Sequence, residues 1–183
     1  MMVPQACRRT SISVDPVALL KREHGMILDQ LTMIEAAMSP RSVGRGKTKG
    51  TDRATLRELL QFFTGPVEVH FKREEVLVGD LQRILGRKQE GHEQFQSFLD
   101  EHLTLKADAA AVMRKLGRKR ADGQGSAAVK TLGGLRTLNA EIRALIRCYR
   151  GHIASEERLL FVLAEMRLTA EQKRRISRCM LQV

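Results

Sequence analysis

The chain has 183 residues, enough for one domain with a sizeable core. With 43% hydrophobic and 29% charged residues it has the make-up of a globular protein, which excludes wholesale disorder. A net charge of +11 raises anionic partners, nucleic acid or a lipid surface, yet one Tyr, no Trp and 4% aromatics leave little for base stacking.

Met1 to Val14 reads as an N-terminal tail, residues 1–14. Asp15-Pro16 then offers a capping acid followed by proline at the first helical position. Leu20, His24, Ile27, Leu31, Ile34 and Met38 recur at three- and four-residue steps, one stripe of a helix that Ser39-Pro40 ends. Arg41 to Gly50 is rich in Gly, Lys and Arg and reads as a loop. A second helix, capped by Thr51 or Asp52, carries Leu56, Leu59, Leu60, Phe63, Val67, His70, Glu74, Leu77 and Leu81, with a kink expected at Gly65-Pro66 and a stop at Gly86.

The third helix begins near Lys88 and carries Phe95, Leu99, His102, Leu105, Ala109, Val112 and Leu116, closing at Gly117. Arg118 to Gly134 permits a loop or a frayed extension of the next helix. A fourth stripe follows: Leu138, Ile142, Leu145, Cys148, His152, Glu156, Leu159 and Leu163. Thr169 with Gln172 resembles a capping box that opens a short basic fifth helix, residues 169–183. The expected fold is all-α: an up-down-up-down four-helix bundle over residues 15–168, with that short C-terminal fifth helix added.

Six polar residues interrupt the apolar stripes: His24, His70, Glu74, His102, His152 and Glu156. An unpaired buried carboxylate is costly, so two of them, each one helical turn from a His, need an explanation. His and Glu at i and i+4 project from one helix face about 6 Å apart, close enough to reach one metal centre. HxxxE occurs twice, in VHFKREE and GHIASEE. Height along the bundle is a separate criterion. His70 and Glu74 lie about 15 residues before a turn near Arg87 and His102 about 15 after it, so they are level in a hairpin. His24, about 16 residues before the first loop, is level with His70, about 18 to 20 after it. His92 shares the phase of His102 but sits roughly 15 Å further along the axis, and reads as a surface or capping histidine at the end of the bundle.

Taken singly, a His on an apolar face is an ordinary core residue and one HxxxE an ordinary surface pair. Two HxxxE pairs and two further His on one layer of four helices point to metal. Imidazoles with carboxylates suit a borderline-hard transition ion. Six side chains suit two ions bridged by carboxylates with a position left for a small molecule. Ligand type alone does not separate iron from manganese or zinc. Cys148 and Tyr149, one turn before His152, are candidates to tune the site from its edge, as a redox-sensitive thiol and a hydrogen-bond donor; their plain reading is as core residues.

At these residues the sequence resembles the hemerythrin-like, or HHE cation-binding, family, through DPVALLKREHGMILDQL, FTGPVEVHFKREEVLVGDL, FLDEHLTLKADAAAVM and IRALIRCYRGHIASEERLLFVLAEMRLTAEQ. The resemblance implies a four-helix bundle with a non-haem di-iron centre that binds or reacts with dioxygen, nitric oxide or peroxide. His24, His70, His102 and His152 would be terminal ligands and Glu74 and Glu156 the bridges. Oxygen-carrying hemerythrins have HxxxH on the third helix and HxxxxD on the fourth. Here Lys106 stands four after His102 and the fourth helix carries HxxxE, a four-His two-Glu set that resembles the bacterial branch linked to nitrosative stress and repair of iron centres.

A competing function is a basic helical module that binds nucleic acid or an anionic surface. Its motive is three clusters: Arg41, Arg45, Lys47, Lys49 and Arg53; Arg114, Lys115, Arg118, Lys119 and Arg120; and Lys173, Arg174, Arg175 and Arg178. Cys7, Cys148 and Cys179 are odd in number and lack CxxC spacing, which fits a reducing compartment. No segment approaches the roughly 20 apolar residues of a membrane span. The first residues are too short and polar a run for a secretory signal, so a cytoplasmic location is expected.

Overall fold

A computed structural model describes residues 14–39, 41–43, 47–49, 53–86, 92–117 and 127–183. Its helices are α1 (Pro16–Met38), α2 (Arg53–Gln61), α3 (Pro66–Leu85), α4 (His92–Gly117), α5 (Ala127–Arg158), α6 (Leu160–Arg167) and α7 (Ala170–Met180). Between α1 and α2 the stretch expected as a loop contains a two-stranded antiparallel ladder, β1 (Arg41–Val43) with β2 (Lys47–Lys49), in which Ser42 faces Thr48. The expected cap at Thr51 or Asp52 and the tail up to residue 13 lie outside the described residues.

Local chemistry sets the helix ends. Asp15 Oδ1 accepts hydrogen bonds from the amides of Val17 and Ala18 at 2.9 and 3.1 Å, and Pro16 occupies the first helical position. The second stripe breaks where Gly65-Pro66 required it. α2 passes through a 3-10 turn (Phe62–Thr64) and α3 restarts on Pro66, which has no amide to leave unpaired. Gly86 ends α3 with φ 77°, a left-handed conformation that favours glycine, and its amide bonds the Gln82 carbonyl. Thr169 and Gln172 form both bonds of the expected capping box.

Long-range pairs give the direction of each helix. Lys21 meets Glu165 and Glu35 meets Arg150, so α1 runs against α5 and α6. Gln30 bonds the Leu59 carbonyl while Glu23 reaches His70, so α1 also opposes α2 and α3. Arg53 bonds the carbonyl of Lys115 and Phe71 stacks on His102; Lys115 meets Glu141 and Glu101 meets His152. Each of these bundle pairs is antiparallel, the up-down-up-down order expected of short connections.

The fourth stripe departs from regular spacing near its end. Leu159, with φ −115° and ψ −63°, separates α5 from α6 and shifts the helical phase. Leu160, Phe161 and Ala164 turn inward in place of Leu159, which is 48% exposed. The apolar interior forms two separate clusters. One contains Ile27, Leu31, Leu60, Phe63, Phe71, Leu105, Ile142 and Tyr149. The other contains Leu20, Leu77, Leu81, Phe98, Leu160, Phe161, Ile176 and Met180. Along their helices His24, Glu74, His102 and Glu156 fall between the two clusters, while His70 and His152 each stand one residue before a member of the first, Phe71 and Ile153. α7 belongs to the second cluster through Ile176 and Met180, both fully buried.

Among the described residues no helix is long and apolar enough to cross a membrane. Truncating Ile176 to Ala removes buried side-chain volume from that cluster and is expected to cost about 2–5 kcal/mol of unfolding free energy, read by urea denaturation. A change under about 0.5 kcal/mol, the range of surface substitutions, would show that α7 is not docked.

Candidate metal centre

Each helix delivers its polar residue because that residue continues an apolar stripe. His24 follows Leu20 on α1; His70 and Glu74 lie one turn apart on α3; His102 precedes Leu105 on α4; His152 and Glu156 lie one turn apart on α5. None of the six is more than 4% exposed.

The donor atoms converge. Glu74 Oε1 lies 3.0 Å from His24 Nε2 and 2.9 Å from His70 Nε2, while its Oε2 lies 3.3 Å from His102 Nε2. Glu156 Oε2 lies 3.4 Å from His24 Nε2, and its Oε1 lies 3.5 and 3.4 Å from Nε2 of His102 and His152. All four imidazoles thus turn Nε2 inward, and each carboxylate reaches toward imidazoles from opposite sides of the bundle. Two overlapping sets have donor atoms within 4.8 Å of one another: Glu74, His102, His152 and Glu156; and His24, His70 and Glu74.

Hydrogen bonding does not satisfy this layer. Glu74 Oε2, both Glu156 oxygens, His102 Nε2 and His152 Nε2 are buried without a hydrogen-bond partner, their mutual contacts being too long or misaligned. Each buried group left so costs about 1–3 kcal/mol, more when charged. Inward-facing nitrogens and carboxylate oxygens without partners are the donor set a transition ion of intermediate hardness takes. The residues present fit such an ion.

Sequence reasoning missed a second set of acids behind the imidazoles. His24 Nδ1 pairs with Glu157 Oε1 at 3.0 Å, His70 Nδ1 with Glu23 Oε2 at 2.9 Å and His152 Nδ1 with Glu101 Oε2 at 2.8 Å. Glu75 Oε1 stands 3.7 Å from His102 Nδ1 and takes a hydrogen bond from Lys106. A signal was available, since every one of these acids is the sequence neighbour of a residue of the inner layer.

Aromatic rings close the layer. Phe71 stacks on His102 at 4.2 Å between centroids and Phe161 on His24 at 5.0 Å. The two edge candidates turn out differently from their expected roles. Cys148 is exposed rather than on the core stripe. The seam of α5 runs Leu138, Ile142, Leu145, Tyr149, His152, Glu156, and one residue back from Tyr149 is about 100° round the helix. Tyr149 is 1% exposed, stacked parallel to Phe71 at 6.2 Å, and its hydroxyl makes no hydrogen bond, so it gives the layer none. Burial pushes that hydroxyl's pKa upward. His92 opens α4, and the expectation for its side chain falls outside what is described. A groove of about 720 Å³ between α4 and α5, lined by Glu101, Thr104, Asp108, Cys148 and Gly151 among others, reaches His152 from solvent.

Charge couples the layer in the metal-free protein. Burial alone depresses an imidazole pKa, but the facing carboxylates of Glu156 and Glu74 outweigh it and lift His24 to about 10 and His102 to about 9. For His70, burial is likewise outweighed by Glu74 and Glu23. Burial would raise Glu74, but the surrounding imidazoles hold it well below the usual carboxylate range. A folded-state pKa raised above the unfolded value stabilises fully below the unfolded value and loses that contribution as pH rises through the folded one. The metal-free protein is therefore expected to lose stability between about pH 6.5 and 10, read as a falling melting temperature. A flat profile across that window would contradict the coupling.

Residues 15–164 match the family model described as the Hemerythrin HHE cation binding domain. No curated protein matches the chain, and no solved structure does. The matched segment spans α1 to α6 up to Ala164 and contains all six residues of the inner layer, and the chain belongs to the Hemerythrin HHE cation-binding domain family.

Proposed function

We propose that this bundle, residues 15–168, is a non-haem di-iron protein that binds, senses or reacts with dioxygen, nitric oxide or peroxide. The observation that carries the reading is the inward set of four Nε2 atoms around two carboxylates, each carboxylate having one oxygen toward each side of the bundle. His24 and His70 would hold one ion and His102 and His152 the other, with Glu74 and Glu156 shared. Nitrogen and oxygen donors without thiolate favour iron or manganese over a structural zinc site. Two imidazoles and two shared carboxylates supply fewer donors than a six-coordinate ion takes, which leaves room for a small ligand.

Bound iron would supply Lewis acidity and one-electron redox chemistry toward such a ligand. The chain's own part is positional. Phe71 and Phe161 lie flat against His102 and His24 and keep water from that side. The α4–α5 groove gives a small molecule a way to His152. Free Cys148 and Cys179 agree with a reducing, cytoplasmic setting.

Anaerobic loading with ferrous ion should give two irons per chain by elemental analysis, and absorption that changes on adding oxygen, nitric oxide or peroxide. Glu74→Ala, which removes a shared carboxylate, should lose both ions, whereas His70→Ala should lose one. Trace metal in the unaltered protein would overturn the reading. A Gly151→Phe change fills the groove from a position where an added Cβ meets nothing within 4 Å. It should slow nitric oxide association severalfold at unchanged iron content; an unchanged rate would mean the ligand enters elsewhere.

A second reading, a basic surface for an anionic partner, draws on α7. Lys173 and Arg175 are tied to Asp15 and Asp80, while Arg174 and Arg178 stand exposed. Binding to duplex DNA or anionic vesicles that falls steeply with added salt would support it, and absence of binding at low salt would remove it.

A further inference from the structure

We propose that four glutamates outside the inner layer, Glu23, Glu75, Glu101 and Glu157, form an outer ring that positions the imidazoles and sets how tightly the centre holds its metal. The inference rests on the metal reading above and extends it to residues one shell further out.

An imidazole that offers Nε2 to a metal carries its proton on Nδ1, and that proton needs an acceptor. A carboxylate there locks the ring orientation and makes Nε2 a stronger donor. Three of the four imidazoles have such a carboxylate at 2.8–3.0 Å. In every case it comes from a different helix. Glu23 on α1 holds His70 on α3; Glu75 on α3 faces His102 on α4; Glu101 on α4 holds His152 on α5; Glu157 on α5 holds His24 on α1. The contacts run once round the bundle in a single sense.

Sequence offset explains that sense. Glu23 and Glu101 each stand one residue before a histidine of the layer, on α1 and α4; Glu75 and Glu157 each stand one residue after a layer glutamate, on α3 and α5. One residue is a rotation of about 100° about the helix axis. Seen from one end of the bundle, a step back on a helix running up and a step forward on a helix running down rotate the same way. The alternation before, after, before, after is therefore what an up-down-up-down bundle needs for each acid to lean across the seam to the next helix. Independent surface acids have no reason to alternate.

The ring is unequal. Glu23 is also gripped by Arg73, whose Nε reaches the Met180 carbonyl at the end of α7. Glu75 is drawn to Lys106 at 3.3 Å, and His102 Nδ1 has no hydrogen bond. Glu101 and Glu157 have side chains 45% and 43% exposed, so they can be changed without opening the core.

The test is metal affinity of the full chain by chelator competition with cobalt(II), together with the cobalt d–d spectrum. Glu101→Ala and Glu157→Ala should each weaken binding about 10- to 100-fold, the effect of losing a carboxylate behind a ligating imidazole, and should shift the d–d bands. The corresponding Gln variants, whose amide oxygen still accepts from Nδ1, should recover part of the loss. Glu75→Ala should change affinity least. Glu35→Ala, which breaks the pair with Arg150 on the same protein surface, serves as the control and should leave affinity unchanged. Melting temperatures of the metal-free variants at positions 101 and 157 should match the parent, separating positioning from folding. Parent-like affinity and spectra in both Ala variants, with the parent binding two ions, would overturn the ring and leave the metal centre standing. A parent that binds no cobalt and no iron would overturn both.

Discussion

Two carboxylates with four imidazoles around them, buried in the middle of an apolar bundle, are the constraint to which the rest of the molecule answers. Glu74 and Glu156 are fully buried, and Glu74 Oε2 and both Glu156 oxygens take no hydrogen bond from the chain. Buried charge of that kind is tolerated only when opposite charge or a metal compensates it. In the metal-free state His24, His70 and His102 take that part, the facing carboxylates favouring their charged forms and lifting them above their ordinary range. The layer divides the apolar core into two clusters, so the helices on either side must pack independently while keeping six side chains level. Protons on the nitrogens and a bound cation are alternative ways of balancing one charge distribution, so cation uptake would be coupled to proton release.

Much of this was legible from the chain. Periodicity revealed the four stripes, because a bundle helix must present a continuous apolar face and shows it at three- and four-residue steps. Punctuation at Asp15-Pro16, Gly65-Pro66 and Thr169/Gln172 was readable because those residues act through local backbone chemistry that tertiary context seldom overrides. His24, His70, Glu74, His102, His152 and Glu156 could be grouped because antiparallel hairpins turn distance from a loop into height, and the structure brings all six together.

What escaped depended on phase finer than one residue, or on partners far apart in the sequence. Cys148 and Tyr149 both lie within one turn of His152, and a stripe read at loose spacing admits either. Packing selects Tyr149 because the α5 seam follows an alternating four-and-three step. Leu159 was assigned to the core on the assumption of an unbroken helix; the irregular backbone there hands its place to Leu160 and Phe161. The outer acids look like ordinary solvated glutamates when each helix is read alone. Their meaning lies in pairs such as Glu157 with His24, 133 residues apart.

The most direct test of the central claim is anomalous X-ray diffraction at the iron edge from crystals of the iron-loaded protein. The account predicts two anomalous peaks about 3.5–4 Å apart, lying between Glu74 and Glu156, with His24 and His70 on one side and His102 and His152 on the other. A single peak at the surface, or no peak among these six side chains after loading, would contradict it.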